Sequence, residues 1–114
     1  MENHVTALDV AFHALSDPTR RAVIAKLILG PASVKHLAAP FGMGLPSFLK
    51  HVRVLENSGL IGSEKVGRVR MCSIIPQRLA VTEDWLGAQR ALWEARTDRL
   101  AAYVETQHLE DSAK

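Results

Sequence analysis

A chain of 114 residues with 47% hydrophobic content has room for one folded domain, and this composition excludes a chain that is disordered throughout. Only 5% of the residues are aromatic, so the core has to come from Leu, Val, Ile and Ala, which favours packed helices over an aromatic-rich sandwich. The net charge is +2, the single cysteine Cys72 excludes an intramolecular disulfide, and the lack of a signal peptide or a membrane-length apolar run predicts a cytoplasmic protein.

The N-terminal part of the chain predicts two helices. Apolar residues recur at helical spacing over residues 5–15, which predicts the first helix. Asp17 is a suitable N-cap and Pro18 suits a first helical position, so a second helix should start there. Gly30 and Pro31 should end it. The side chains expected to face inward on the second helix are Val23, Ile24, Leu27 and Ile28.

Two more helices follow. Ser33 predicts the cap of a short third helix, and a fourth helix is expected from about Pro46 to Asn57. The apolar side of the fourth helix consists of Leu45, Phe48, Leu49, Val52 and Leu55. Ser47, Lys50 and Arg53 lie on or beside its opposite, partly basic side. Two short helices, a break and a helix with a basic outer face predict a helix-turn-helix.

A two-stranded ribbon should come next. Residues 60–66 and 68–75 are rich in β-forming residues on either side of Gly67. An isolated ribbon is unstable, so it should pack on the helices. Lys65, Arg68 and Arg70 lie near its tip and indicate a wing that can reach DNA phosphates or the minor groove.

The last predicted helix covers residues 82–107. Leu86, Trp93 and Leu100 recur every seven residues, and Tyr103 extends the same apolar stripe. One small domain cannot cover so long a helix, so these side chains predict a dimer interface. We expect no separate second domain.

Charge is unevenly distributed along the chain. Residues 34–78 contain seven basic and two acidic side chains, a net +5, whereas residues 79–114 contain four basic and seven acidic ones, a net −3. A basic middle segment favours a partner with phosphate groups, although scatter of surface charge would look similar.

These segments together resemble the ArsR/SmtB family of bacterial repressors. Residues 15–21 (Leu-Ser-Asp-Pro-Thr-Arg-Arg) resemble the start of that family's second helix, residues 50–61 its recognition helix and the exit from it, and residues 67–70 its wing. The C-terminal pattern is similar to a branch of that family without the known metal sites, and it consists of Trp85-Leu86, Arg90, residues 93–100 and Tyr103. Residues 34–38, on the third helix, also lack the Cys-x-Cys element of metal-sensing members. The resemblance covers residues 5–107.

The resemblance implies a winged helix-turn-helix, mainly α with a small β-hairpin, in the order helix-helix-helix-helix-ribbon-helix over residues 1–114. It implies a homodimer joined by the first and last helices and bound to a palindromic duplex DNA operator. The expected DNA-contacting residues are Ser47, Lys50, His51, Arg53, Lys65, Arg68, Arg70, Arg20 and Lys35. The expected dimer residues are Leu8, Phe12, Leu86, Trp93, Leu100 and Tyr103.

Other functions are kept as alternatives. His51 has two possible roles, packing against the ribbon or contacting DNA. Arg20 likewise could pair with groups inside the protein or contact a DNA phosphate. Cys72 leaves open a metal- or redox-responsive repressor, although we expect no metal site and no cofactor. A winged helix that binds protein, and a small-molecule inducer, also stay open. No nucleophile elbow or phosphate-binding glycine loop is present, so we expect no enzyme. No apolar run has membrane length, so we expect no membrane partner.

Overall fold

The computed structural model describes residues 6–112, which form a mainly helical fold with a small antiparallel sheet. The elements in chain order are α1 (Ala7–Leu15), α2 (Pro18–Ile28), β1 (Ala32–Ser33), α3 (Val34–Ala38), α4 (Leu45–Asn57), β2 (Ile61–Val66), β3 (Val69–Ile74) and α5 (Pro76–Ser112). This confirms the expected winged helix-turn-helix. Val5, assigned to the first helix from its spacing, lies outside the described residues.

Local capping fixes where the first three helices begin. The side chains of Thr6, Asp17 and Ser33 each accept a hydrogen bond from a backbone N–H in the first turn of the helix that follows. Pro18 occupies the first turn of α2, where a backbone N–H would have no helical partner. Gly44 precedes α4 and offers no side-chain cap, so the start of α4 has less local support.

The sheet has one strand more than the predicted ribbon. β3 is central and pairs antiparallel with β2 over six residues and with β1 over two, which places Ala32 and Ser63 on either side of Cys72. Gly67 and Arg68 form the two-residue turn of the wing. Gly67 has a φ of +64°, which an L-residue with a side chain rarely adopts.

The core lies between the helices and the buried end of the sheet. Its largest buried side chains come from α2, α3, α4 and the beginning of the wing, with Phe48 stacked on the half-buried Phe41 at a centroid distance of 5.6 Å. The largest fully buried side chains are those of Val23, Leu27, Leu37, Phe48, Val52, Leu55, Leu60, Ile61 and Cys72. Ile28, expected to face inward, is 64% exposed, because it lies beyond the arc that Val23, Ile24 and Leu27 bury.

Contacts within the chain divide it into two parts, one up to Thr82 and one from Glu83. The part up to Thr82 holds α1–α4, the sheet and the first residues of α5. The part from Glu83 is the rest of α5, in which no described residue is buried. α5 starts six residues earlier and ends five residues later than the predicted residues 82–107. Pro76 is its first residue, where proline is tolerated. No described helix is both long and apolar enough to cross a membrane.

Candidate nucleic-acid interface

The outer side of α4 is the first candidate surface. Phe48, Val52 and Leu55 are buried on one side of the helix, because their spacing of three or four residues keeps them on one face. Opposite them, the predicted site residues Ser47, Lys50 and Arg53 are all exposed. Leu49 is half-buried and packs against the core, so it is not part of the outer face. The exposed side therefore presents one hydroxyl and two positive charges.

The wing is the second candidate surface. One face of the hairpin is buried at Ile61 and Cys72 and continues outward as Lys65 and Arg70, which are directly opposite each other in the register. Arg68 lies in the turn at the tip and is exposed. Lysine and arginine at the free end of a hairpin can meet phosphates at little desolvation cost, since their charges remain in water.

A shallow cleft brings a residue of α3 to the wing. It lies between the start of α3, the first residue of α4 and the hairpin, and Lys35, Arg68 and Arg70 line it together with Leu45. A neighbouring cleft contains Lys65 beside the same two arginines. Lys35 on α3 thus lies near the three basic residues of the hairpin, although Glu64 also lines the second cleft. Positive charges gathered on one side attract a polyanion more strongly than the same charges dispersed.

Arg20 has a different environment from the other predicted cations. Only 8% of it is exposed, and its guanidinium donates to the backbone carbonyls of Ala14 (2.7 Å) and His13 (3.1 Å). A further guanidinium nitrogen lies 3.1 Å from Nδ1 of His51, on α4. These bonds give Arg20 a structural role between α1, α2 and α4. Its predicted DNA contact stays untested.

His51 lies between the predicted site and the core. Its Nδ1 is 3.1 Å from the Arg20 guanidinium and 3.7 Å from a carboxylate oxygen of Asp17, and the side chain is 23% exposed. His51 therefore contacts the α1–α2 corner, and its predicted DNA contact stays untested.

Arg70 is already paired inside the protein. Its Nη2 donates to both carboxylate oxygens of Glu56 (3.1 and 3.2 Å) and its Nε to Oγ of Ser63 (3.0 Å). Sequence reasoning missed Glu56 and Ser63, because a contact between residues 14 positions apart on a helix and a strand leaves no periodic signal. The predicted DNA contact of Arg70 stays untested.

Cys72 offers little support for a redox or metal role. The side chain is fully buried on the central strand. Burial raises the pKa of its thiol, the nearby Glu56 carboxylate raises it further, and Arg70 opposes both. The thiolate is the reactive form and the metal ligand, so this environment disfavours both chemistries. Within residues 6–112, no three His, Cys, Asp or Glu side chains are grouped as metal ligands.

The predicted dimer residues lie on α1 and α5. On α1, Leu8 is half-buried and Phe12 is 37% exposed. On α5, Leu86, Trp93, Leu100 and Tyr103 are each more than half exposed. Large apolar side chains are rarely left in water along a whole helix, so this stripe is available for an interface.

The chain is similar to known transcriptional regulators. Residues 15–63 match a family described as a helix-turn-helix domain. The HTH-type transcriptional regulator Rv2034 of Mycobacterium tuberculosis is 35% identical over 72 residues, 63% of this chain and 67% of the relative. The transcriptional repressor SdpR of Bacillus subtilis is 28% identical over 75 residues, 66% of this chain and 83% of the relative.

Solved structures agree in fold and in family. A homodimeric winged helix-turn-helix DNA-binding domain of Mycobacterium bovis shares the fold, with a TM-score of 0.61 at 19% identity over 75% of this chain and 82% of the other. The ArsR family transcriptional regulator RHA00566 has a TM-score of 0.75 and 52% identity, over 78% of this chain and 98% of that protein. With this level of identity over almost the whole of a family member, the chain belongs to the ArsR family of transcriptional regulators.

Proposed function

We propose that the protein is a repressor that binds a palindromic DNA operator as a homodimer. α4 enters the major groove with Ser47, Lys50 and Arg53, and the wing places Lys65 and Arg68 on the adjacent backbone or minor groove. Lys35 adds a phosphate contact at the edge of the wing. The observation that carries the proposal is the exposed basic side of α4, which lies opposite the buried side chains of Phe48, Val52 and Leu55.

Two similar proteins support the finer parts of this proposal. SdpR is named as a repressor, and the Mycobacterium bovis domain is described as homodimeric. A dimer with two-fold symmetry presents its two α4 helices to two half-sites related by the same symmetry. The half-sites should therefore be inverted repeats about one helical turn, or a multiple of it, apart.

Lys50 and Arg68 should contribute to binding in different ways. Lys50 can donate to guanine acceptors in the major groove, so Lys50→Ala should weaken the operator complex more than random DNA, by roughly 1–3 kcal/mol per half-site. Arg68 at the wing tip meets phosphate or minor groove, so Arg68→Ala should weaken both complexes. It should also flatten the salt dependence by about one unit of slope for each phosphate that the variant no longer neutralises.

Binding isotherms on operator and random duplexes at several salt concentrations test both expectations, with the operator first located by footprinting on the protein's own promoter. Arg99→Ala is the matched control, since Arg99 is exposed on α5 outside the winged part and its removal also takes away one charge. An unchanged operator preference in Lys50→Ala would contradict the assignment of α4 as the reading helix. Binding that is insensitive to salt would favour a protein-binding winged helix instead.

A further inference from the structure

Three side chains from three elements form a closed cluster beside the wing. Arg70 on β3 donates to both carboxylate oxygens of Glu56 on α4, and its Nε donates to Oγ of Ser63 on β2. The Ser63 hydroxyl in turn donates to Oε1 of Glu56 at 3.1 Å. Each member of this Glu56–Ser63–Arg70 cluster is therefore bonded to the other two.

Burial separates this cluster from an ordinary surface ion pair. The Glu56 side chain is 23% exposed, whereas that of Arg70 is 55% exposed. A largely shielded carboxylate loses much of its hydration, so it depends on Arg70 and Ser63 for compensation. Moving the guanidinium to a phosphate would leave Glu56 without its positive partner. The pairing thus opposes a direct role of Arg70 in neutralising DNA.

The position of the cluster connects the two candidate reading surfaces. Glu56 lies in the last turn of α4, in the same helix as Lys50, and its neighbour Leu55 is fully buried. Arg70 lies on the strand that leads from the wing tip into the core, two residues after Arg68. Beyond the cluster the hairpin is exposed, and among the described residues these are the side-chain hydrogen bonds that join α4 to the hairpin.

We propose that Arg70 is a positioning residue, which holds the wing at a fixed angle to α4 by means of Glu56 and Ser63, and is not a DNA contact. This rests on the proposed binding of one duplex by α4 and the wing together. When the cluster is disrupted, Lys65 and Arg68 are still present, but they are no longer held in position to contact the DNA phosphate backbone. Affinity then falls because the wing has to be ordered at the moment of binding.

The variant Glu56→Gln tests the proposal, because a DNA-contacting Arg70 and a positioning Arg70 predict opposite changes in operator affinity. If Arg70 were a DNA contact, Glu56→Gln would release it and remove a negative charge, and binding would tighten. If Arg70 positions the wing, Glu56→Gln weakens operator binding, by about fivefold. Glu64→Gln is the matched control, because Glu64 is exposed on the same hairpin and lies outside the cluster. It should leave binding unchanged or tighten it.

Arg70→Lys distinguishes geometry from charge. Lysine keeps the positive charge that a phosphate needs but cannot make the forked contact with Glu56 and the Nε bond to Ser63. We expect weaker operator binding with an unchanged salt slope, and no further weakening in the double variant Glu56→Gln/Arg70→Lys. Wild-type affinity in Arg70→Lys, or a slope reduced in Arg70→Gln by about one unit per half-site, would overturn the proposal.

The hydrogen bonds of Arg70 can also be followed by NMR in the wild-type protein, so that this test does not require any variant to fold. The Arg70 Nε–H signal should be protected from exchange in the free protein, and its chemical shift should persist when operator duplex is added. A large shift on binding, or rapid exchange without DNA, would contradict the positioning role. Failure of the wild-type protein to bind any duplex overturns the proposed function and this inference together, whereas tighter binding by Glu56→Gln overturns the inference alone.

Discussion

Asp17 has two roles at the corner between α1 and α2. Its carboxylate accepts a hydrogen bond from the backbone N–H of Arg20 at 3.1 Å, which caps α2, and lies 3.7 Å from His51 Nδ1. Desolvation alone would raise the pKa of this carboxyl. The Arg20 N–H bond and the charges of His51 and Arg20 outweigh that effect, so the pKa lies below its ordinary value of 3.8.

This lowered pKa predicts how stability responds to acid. A carboxyl whose folded pKa is depressed stabilises the folded state above its unfolded pKa, and that contribution is lost as the pH falls through the folded value. Asp17→Asn keeps a capping oxygen but removes the charge. Its melting temperature should be lower than that of the wild type at about pH 6, and the gap should shrink below about pH 4.

Thermal unfolding at about pH 6, 4 and 3, on either side of the ordinary carboxyl pKa, measures this gap. Asp17→Ala serves as the comparison, because it removes the cap as well as the charge and should stay less stable than Asp17→Asn throughout. A gap between wild type and Asp17→Asn that is constant with pH would mean that the charge of Asp17 does not stabilise the fold.

At the scale of elements, Arg20 joins three helices. The last carbonyls of a helix have no partner within it, and Arg20 supplies donors to His13 and Ala14 at the end of α1 while it reaches His51 on α4. Arg20→Ala removes the donor to the Ala14 carbonyl in a buried site, whereas the His13 carbonyl keeps its bonds from the Ser16 N–H and hydroxyl. We expect a decrease of about 3 kcal/mol in the free energy of unfolding.

Urea denaturation of Arg20→Ala and Arg21→Ala compares a buried arginine with an exposed neighbour. The Arg21 side chain donates to the Leu15 carbonyl from an exposed position, so its removal should cost less than half as much. Equal stability of wild type and Arg20→Ala, combined with weaker DNA binding, would restore the prediction that Arg20 contacts phosphate.

Capping and periodicity made most elements predictable. Asp17 and Ser33 cap the helices that they were expected to cap, and the wing turn occurs at Gly67. β1 was missed because two residues are too short to show alternation. The prediction started the last helix at residue 82 and so missed the first six residues of α5, although proline at position 76 is well suited to a first helical position.

The candidate site was less predictable than the fold. Exposed cations on a helix or a hairpin can be recognised from spacing, as for Lys50, Arg53 and Arg68. The internal pairing of Arg20 and Arg70 depends on acceptors far away in the sequence, including the backbone carbonyls of α1. Sequence periodicity reports which face a residue occupies, and it carries no information on which distant group satisfies its charge.

At the scale of the whole molecule, α5 carries a row of large apolar side chains that are exposed in the single chain. This helix has 37 residues, about 55 Å at about 1.5 Å per residue, and its only buried residue among those described is Thr82. Leu86, Trp93 and Leu100 repeat every seven residues and are 52%, 63% and 60% exposed. A seven-residue apolar repeat is the spacing with which two helices pack along a common seam.

The sequence-based prediction of a dimer through α5 can therefore be tested by measuring the mass of the protein in solution. Wild-type protein at micromolar concentration should sediment at twice the chain mass, and Trp93→Ala should weaken the dimer by about 3 kcal/mol if the ring is buried at the seam. The double variant Leu86→Glu/Trp93→Glu should be monomeric, because two uncompensated charges would be desolvated in the seam. Arg99→Ala should remain dimeric. Circular dichroism at the same concentration shows whether the winged part, whose core uses neither substituted residue, stays folded in the monomer. A wild-type chain that sediments as a monomer would contradict the predicted dimer interface. It would also contradict the proposal that a two-fold symmetric dimer binds two inverted half-sites.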